Sequence, residues 1–316
     1  MILVVCLNPA IDVTHHVPAV DWAGVNRPSA VHARPGGKGL NVARTLHALG
    51  ADVLIMGLAG GITGAWVASA LGQRGVPAAF TQITGETRRT FTVVDGQRGT
   101  ALFNEAGPRI AVAEFARFRA EYQDALAGAA AVVLSGSLPP GLATETYATL
   151  IEMAAAAGVP AVLDTHGEAL LRGAAAGPAI VKPNLAELEA LAGQPLATPG
   201  GADRTAVTAA AGLLLAVGAE AVVASLGPEG LLAATGDGRW QARPPATVAG
   251  NATGAGDAVA AALAHGLVLG RPWDERLRHA VALGAASAAA PVAGEFSHAD
   301  YVSALSGAAV HRDEVP

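Results

Sequence analysis

A single cysteine, Cys6, stands in 316 residues, so neither an internal disulfide nor a cysteine-rich zinc centre can form. Aromatic residues make up only 4% and charged residues only 15%, against roughly 25% charged in an average soluble chain. With a formal net charge of −6 there is no basic footprint for nucleic acid. Disorder is excluded too, because 52% of the residues are hydrophobic. Long apolar runs are also missing. Mean hydropathy is +0.40, yet the stretches at Ala206–Val217 and Ala258–Leu269 stay well under the roughly 20 residues of a membrane-spanning helix. They are Ala-rich, as suits helices packed closely in a soluble core. The first apolar run, Ile2–Leu7, has no basic segment before it and reads as a buried strand, not a secretory leader. A reducing, cytoplasmic setting without membrane partners is the expectation.

What is present is alternation. Short apolar runs at Ile2–Leu7, Val53–Leu58, Ala131–Ser135, Pro160–Asp164, Ala179–Lys182 and Ala221–Leu226 have the character of buried strands. Helical patterns fall between them at Leu40–Leu49, Ala65–Arg74, Glu114–Ala127, Glu145–Ala157 and Arg204–Val217. This predicts an α/β fold with a mostly parallel sheet covered by helices on both faces. Gly50, Gly75, Gly158 and Gly218 follow helical patterns, where a left-handed cap favours glycine. Two stretches break the rhythm. Residues 9–35 hold no helix but a strand at Val31–Arg34, and residues 87–104 read strand–turn–strand. Together they predict a small β lid on one domain spanning residues 1–316. Beyond Gly230 two more short strands are expected, and then only helix.

The segment Asn251-Ala252-Thr253-Gly254-Ala255-Gly256-Asp257 runs straight into an apolar helix. Its glycines allow a sharp turn with amides pointing outward, and the helix dipole adds positive potential, which makes an anion site. A carboxylate there suits a general base that takes a proton from an attacking hydroxyl while the amides hold a phosphoryl group. The plainer alternative is that Thr253 and Asp257 only cap the helix. A second cluster, Pro35-Gly36-Gly37-Lys38-Gly39-Leu40-Asn41, opens another helix, with Lys38 as a point charge for an anionic or hydroxylated ligand. It is not a Walker A loop, since no Ser or Thr follows the lysine. No dinucleotide fingerprint follows the first strand, and no nucleophile elbow or metal-binding histidine spacing occurs.

Asp12 falls at the carboxyl end of the first strand, where open α/β sheets bind ligands, and its carboxylate suits sugar hydroxyls. Arg88 and Arg89 begin one lid segment and Arg27 lies in the other; guanidinium groups there would clamp a phosphate, or simply be solvated. Asn184-Leu185-Ala186-Glu187 follows Lys182-Pro183 and fits a capping box, while Glu187 also suits a hydrated Mg²⁺ near a nucleotide. Ser225-Leu226-Gly227-Pro228-Glu229-Gly230 is a tight turn at a strand end, able to pass close to a nucleotide.

Six of these segments, in order, resemble the ribokinase-like (PfkB) carbohydrate kinases. They are Gly36–Arg44, Thr87-Arg88, Ser135–Gly141, Lys182-Pro183-Asn184, Ser225-Leu226-Gly227 and Thr253–Asp257. The likeness begins at Asn8-Pro9-Ala10-Ile11-Asp12 and runs to Phe296–Asp300. It implies a Rossmann-like ribokinase fold with a β lid that often serves as a dimer clasp. It also implies ATP as phosphoryl donor, Mg²⁺ as cofactor and a sugar hydroxyl as acceptor. Asp257 would match the catalytic base, with Gly254, Ala255 and Gly256 as its anion hole. Lys182, Asn184, Ser225, Gly227, Gly230 and Thr253 would bind nucleotide, with Glu187 near Mg²⁺. Asp12, Gly37, Lys38, Asn41, Arg88 and Arg27 would bind the sugar. Gly24-Val25-Asn26-Arg27 and Gly-Gly-Lys-Gly are similar to 1-phosphofructokinases and tagatose-6-phosphate kinases, whereas Ser135–Gly141 is similar to 6-phosphofructokinase. Ala258 departs from the family, many members carrying Ser after the base.

Overall fold

A computed structural model describes residues 1–245, 253–290 and 294–313; Asn251 and Ala252 of the glycine-rich segment lie outside them. β1 (Ile2–Cys6) divides its side chains between two cores. Leu3 and Val5 face one, while Ile2, Val4 and Cys6 face the other, so the strand is apolar without a break. After it come β2 (Ala10–Val17), β3 (Ala30–Gly36), α1 (Lys38–Ala48), β4 (Val53–Gly60), α2 (Gly61–Gln73), β5 (Ala78–Ile83), β6 (Arg88–Asp95) and β7 (Gly99–Asn104). The middle of the chain holds α3 (Val112–Leu126), β8 (Ala131–Ser135), α4 (Thr146–Ala156), β9 (Ala161–Asp164), α5 (Glu168–Ala175), β10 (Ile180–Val181) and α6 (Leu185–Ala192). A minor hairpin, β11 (Ala197–Thr198) and β12 (Gly201–Ala202), leads to α7 (Arg204–Val217), β13 (Ala221–Ser225), β14 (Leu231–Thr235) and β15 (Gly238–Arg243). The last elements are α8 (Ala255–Val268), α9 (Trp273–Ala289), α10 (His298–Gly307) and β16 (Ala309–Asp313).

Among the described residues ten strands form the main sheet, in the order β16-β15-β14-β13-β10-β9-β8-β1-β4-β5. Neighbours from β13 to β5 run parallel, and β14, β15 and β16 add an antiparallel edge. Phe118, Tyr122, Leu150, Leu170 and Leu214 from α3, α4, α5 and α7 fill one core; Leu40, Val67, Leu263 and Leu283 from α1, α2, α8 and α9 fill the other. Alanine and glycine bring helices close in the second core. A Cβ on Gly284 of α9 would sit 2.9 Å from Cγ2 of Val259 in α8. No helix among the described residues is long and apolar enough to cross a membrane.

Several expectations need correction. The chain after β15 is not all helix, because β16 returns to pair with β15. Residues 9–35 hold a second strand, β2, and Ala78–Ile83 and Glu168–Ala175 form elements absent from the sequence reading. The lid is a four-stranded sheet in the order β3-β2-β6-β7. Its register sets Arg34, Asp12, Thr90 and Asn104 side by side in one row. The neighbouring row, Ala33, Val13, Phe91 and Phe103, is apolar and lies on the opposite face.

Candidate active site

The site begins with two helices whose N-caps are glycines. β3 ends at Gly36, and Gly37 (φ 96°) turns the chain into α1. Gly39 must be small because a Cβ there would stand 2.6 Å from Cβ of Cys6, so only glycine lets α1 rest on β1. α8 starts after Gly254 (φ 88°). Neither N-cap glycine has a side chain to cap its helix, and both helix starts line one cavity of about 900 Å³. Asp257 lies in the first turn of α8, so a carboxylate at the positive end of the helix dipole is compatible with both alternatives for this segment.

Gly37, Lys38, Asn41, Asp12 and Arg88 line this cavity on the lid side. Lys182, Asn184, Ser225, Gly227 and Gly230 line it along the strand ends, and Thr253, Gly254, Ala255, Gly256 and Asp257 lie between. Sequence segments far apart thus meet at the carboxyl ends of the parallel strands, as open α/β sheets require. Arg27 is not brought there. It is exposed in the connection between β2 and β3. Glu187 does not line the cavity either: Asn184 N donates to its Oε2 at 2.8 Å, and Glu187 N donates to Asn184 Oδ1 at 2.8 Å, completing the capping box. The lid contributes residues the sequence reading missed, namely Arg34, Thr90 and Asn104. Thr90 Oγ1 donates to Asp12 Oδ1 at 2.6 Å, and Arg88 is held by the carbonyls of Asn8 (3.2 Å) and Glu105 (3.1 Å).

The largest omission is Asp164, the last residue of β9, which is fully buried. Its Oδ1 accepts from Lys38 Nζ at 3.0 Å and lies 3.4 Å from Lys182 Nζ. Lys38 Nζ is also 3.6 Å from Glu187 Oε1. Burial would raise the Asp164 carboxyl, but Lys182 and Lys38 outweigh it and hold it below the usual carboxylate range. Burial likewise opposes charge on Lys38, and Asp164, Glu187 and Asp257 overcome it and keep the ammonium protonated. Lys38 and Lys182 are thus not isolated point charges but flank a buried carboxylate.

Asp257 behaves in the opposite sense. Burial first, and the Asp164 carboxylate second, push its carboxyl up, against Lys38, Asn41 and Lys182. Asn41 Nδ2 donates to its Oδ2 at 2.8 Å. Asp257 thus lines the cavity with a raised pKa at the N-terminus of α8, while Asp164, fully buried beside Lys38 and Lys182, is fixed as an anion. That division suits proton abstraction next to an anion site.

The description "pfkB family carbohydrate kinase" matches residues 1–299. The chain belongs to this family. A 1-phosphofructokinase from Xanthomonas campestris pv. campestris is 39% identical to this PfkB kinase over 272 residues, 84% of each chain. Phosphofructokinase-2 from Escherichia coli, in complex with fructose-6-phosphate, is 32% identical and superposes with a TM-score of 0.87 over 96% of this chain and 98% of that one. Ribokinase from Arabidopsis thaliana, complexed with ribose and ATP, is 20% identical and shares the fold, with a TM-score of 0.75 over 96% of this chain and 98% of the other. The ribokinase-like α/β fold expected from the sequence is the one observed.

Proposed function

We propose that this PfkB kinase transfers the γ-phosphoryl group of ATP to a hydroxyl of a ketohexose phosphate, with fructose 1-phosphate as best acceptor and fructose 1,6-bisphosphate as product. The observation that carries this reading is Asp257, a buried carboxylate with a raised pKa at the open N-terminus of α8. In the reaction the acceptor hydroxyl loses its proton to Asp257, its oxygen bonds to the γ-phosphorus, and the bond to the β,γ-bridging oxygen breaks to release ADP. Amides of Gly254, Ala255 and Gly256 meet the charge on the transferring group, at no reorganisation cost because the helix already fixes them. Asp12 and Asn41 orient the sugar. Arg88, with Arg34 across β2, supplies guanidinium groups for the sugar phosphate. Lys182, Asn184 and Thr253, with the Ser225–Gly230 turn, border the nucleotide.

Glu187 fits a magnesium ion held through water better than one bound directly. Its two carboxylate oxygens already face Asn184 N and Lys38, and Mg²⁺ parts reluctantly from its waters. When bound, the ion neutralises phosphate charge. The chain acts as one kinase domain in the cytoplasm, lid and body sharing the cavity. A second copy would cover the apolar outer face of the lid, where Val31 and Phe103 are exposed.

The complex of the Escherichia coli neighbour with fructose-6-phosphate, and the Ser135–Gly141 segment, favour that sugar as the second reading. ADP release measured with fructose 1-phosphate, fructose 6-phosphate, tagatose 6-phosphate, free fructose, ribose and adenosine separates these readings. Preference for fructose 1-phosphate is expected. Turnover confined to unphosphorylated acceptors would overturn the roles given to Arg88 and Arg34.

A further inference from the structure

Arg44 lies one turn beyond Asn41 on α1 and is 5% exposed. Its Nη2 donates to Asn41 Oδ1 at 2.6 Å and its Nη1 to the Pro35 carbonyl at 2.9 Å. Arg44 itself does not line the cavity, although its partner Asn41 does, and the proposed reaction gives Arg44 no task. Its position is costly. Burial comes first, then the cations Arg34 and Arg74, and together they lower its pKa to about 10, against the favourable carboxylates of Glu295 and Asp12. A buried guanidinium with like-charged neighbours is a poor way to fill space, since an apolar side chain of similar volume would avoid the desolvation.

A carboxamide can present either its oxygen or its NH₂ group to a neighbour, and the two choices are nearly isosteric. Asn41 faces a carboxylate on one side, and there the choice matters. Arginine settles it, because a guanidinium can only donate. We infer that Arg44 is a positioning residue which locks the Asn41 amide with its oxygen inward, so that its Nδ2 is always the group presented to Asp257. The same guanidinium ties down Pro35, directly before the Gly36-Gly37 turn, so the strand end, α1 and the base share one anchor. Gly294 closes over the pair: a Cβ there would lie 2.8 Å from Asn41 Oδ1 and 2.9 Å from Arg44 Nη2. This inference rests on the reading of Asp257 as the base.

The lock predicts an effect on proton affinity. With the amide reversed, Asn41 Oδ1 would face the Asp257 carboxylate, and the repulsion is relieved by protonating Asp257. The other charged groups around Asp257 (Asp164, Lys38 and Lys182) would be unchanged. The acid limb of kcat/KM should therefore move to higher pH when the lock is removed.

The test measures kcat/KM against pH, with the acceptor turned over fastest in the panel above, for the full chain and for R44M, R44Q, R44K and D257N. ATP binding is followed alongside by calorimetry. R44M and R44Q are expected to bind ATP within about twofold of the unmodified chain, to lose roughly ten- to a hundredfold in kcat, and to show an acid limb raised by about one pH unit. R44K, still a pure donor, should return the limb toward its original position and recover most of the turnover. Should R44M fail to fold, R44Q carries the test, since its amide retains polar contacts but can meet Asn41 either way. An acid limb that stays in place in the folded variants overturns the inference, whatever happens to kcat or stability. Full activity in D257N would overturn the base reading itself, and that outcome is visible without any Arg44 variant.

Discussion

Asp257 and Asp164 share the neighbours Lys38 and Lys182 and are tuned in opposite directions, so they respond differently to pH and to substitution. Asp257 is raised from 3.8 to about 6, chiefly by burial. The base proposed here must be ionised to act, so kcat/KM should fall about tenfold per pH unit below this value and level off above it. Asp257→Asn should lower kcat by roughly 10²–10⁴-fold, the range of a general base, with ATP affinity retained in a binding titration. The linkage sign follows from the raised pKa. Between 3.8 and about 6 the folded chain holds a proton that the unfolded chain has lost, so ionised Asp257 weakens the fold as pH rises. Asp257→Asn should therefore be more stable than the unmodified chain at pH 8, by about 1–3 kcal/mol, and the gain should shrink at pH 5. Asp164 has a lowered pKa, so its stabilisation is present above the unfolded carboxylate range and disappears as pH falls through its folded value. Removing it leaves two lysines without their buried counterion. Asp164→Asn should cost about 3–5 kcal/mol in urea unfolding, the opposite sign to its neighbour.

At the scale of elements, α1 carries Lys38, Asn41 and Arg44, and its distance from β1 is set by a single missing methyl. Gly39→Ala would bring Cβ within 2.6 Å of Cys6 Cβ and 3.1 Å of its Cα. The helix must then lift, at about 1–3 kcal/mol, and kcat should drop because Lys38 and Asn41 move with it. Gly212 in the middle of α7 is the contrast, with nothing within 4 Å of a Cβ. Gly212→Ala should raise stability by about 0.5–1 kcal/mol and leave kcat alone. Measuring both variants by thermal melt and steady-state turnover separates a glycine needed for approach from one that is not.

At the scale of the molecule, the lid has two unlike faces. Polar Arg34, Asp12, Thr90 and Asn104 look toward the cavity, while Val13, Phe91 and Phe103 form the opposite surface. An apolar sheet face left in water invites a partner, and a second copy presents the same face. Phe103, half-exposed on this surface, is the place to test it. Sedimentation should find a dimer for the unmodified chain and a monomer for Phe103→Asp; a dimer in both would place the contact elsewhere.

The inner strands were legible because burial on both faces demands unbroken apolar runs, as in Ile2–Cys6 and Ala131–Ser135. β2 and β16 were not, since Ala10–Val17 and Ala309–Asp313 mix polar and apolar residues in lid and edge positions. The glycine clusters and Asp257 were equally legible, because a sharp turn at a helix start leaves a local signature. Local chemistry is what a sequence by itself determines: which strands are buried, where helices open, which carboxylate follows a run of small residues. Tertiary structure alone decided which groups meet. Asp164 carries no local signal, and its role exists only because β9 ends between Lys38 and Lys182. Asn41 reaches Asp257 only because α1 and α8 pack on the same face of the sheet. The charge on a buried carboxylate depends on burial and on neighbours within a few ångströms, and both are properties of packing, not of order along the chain.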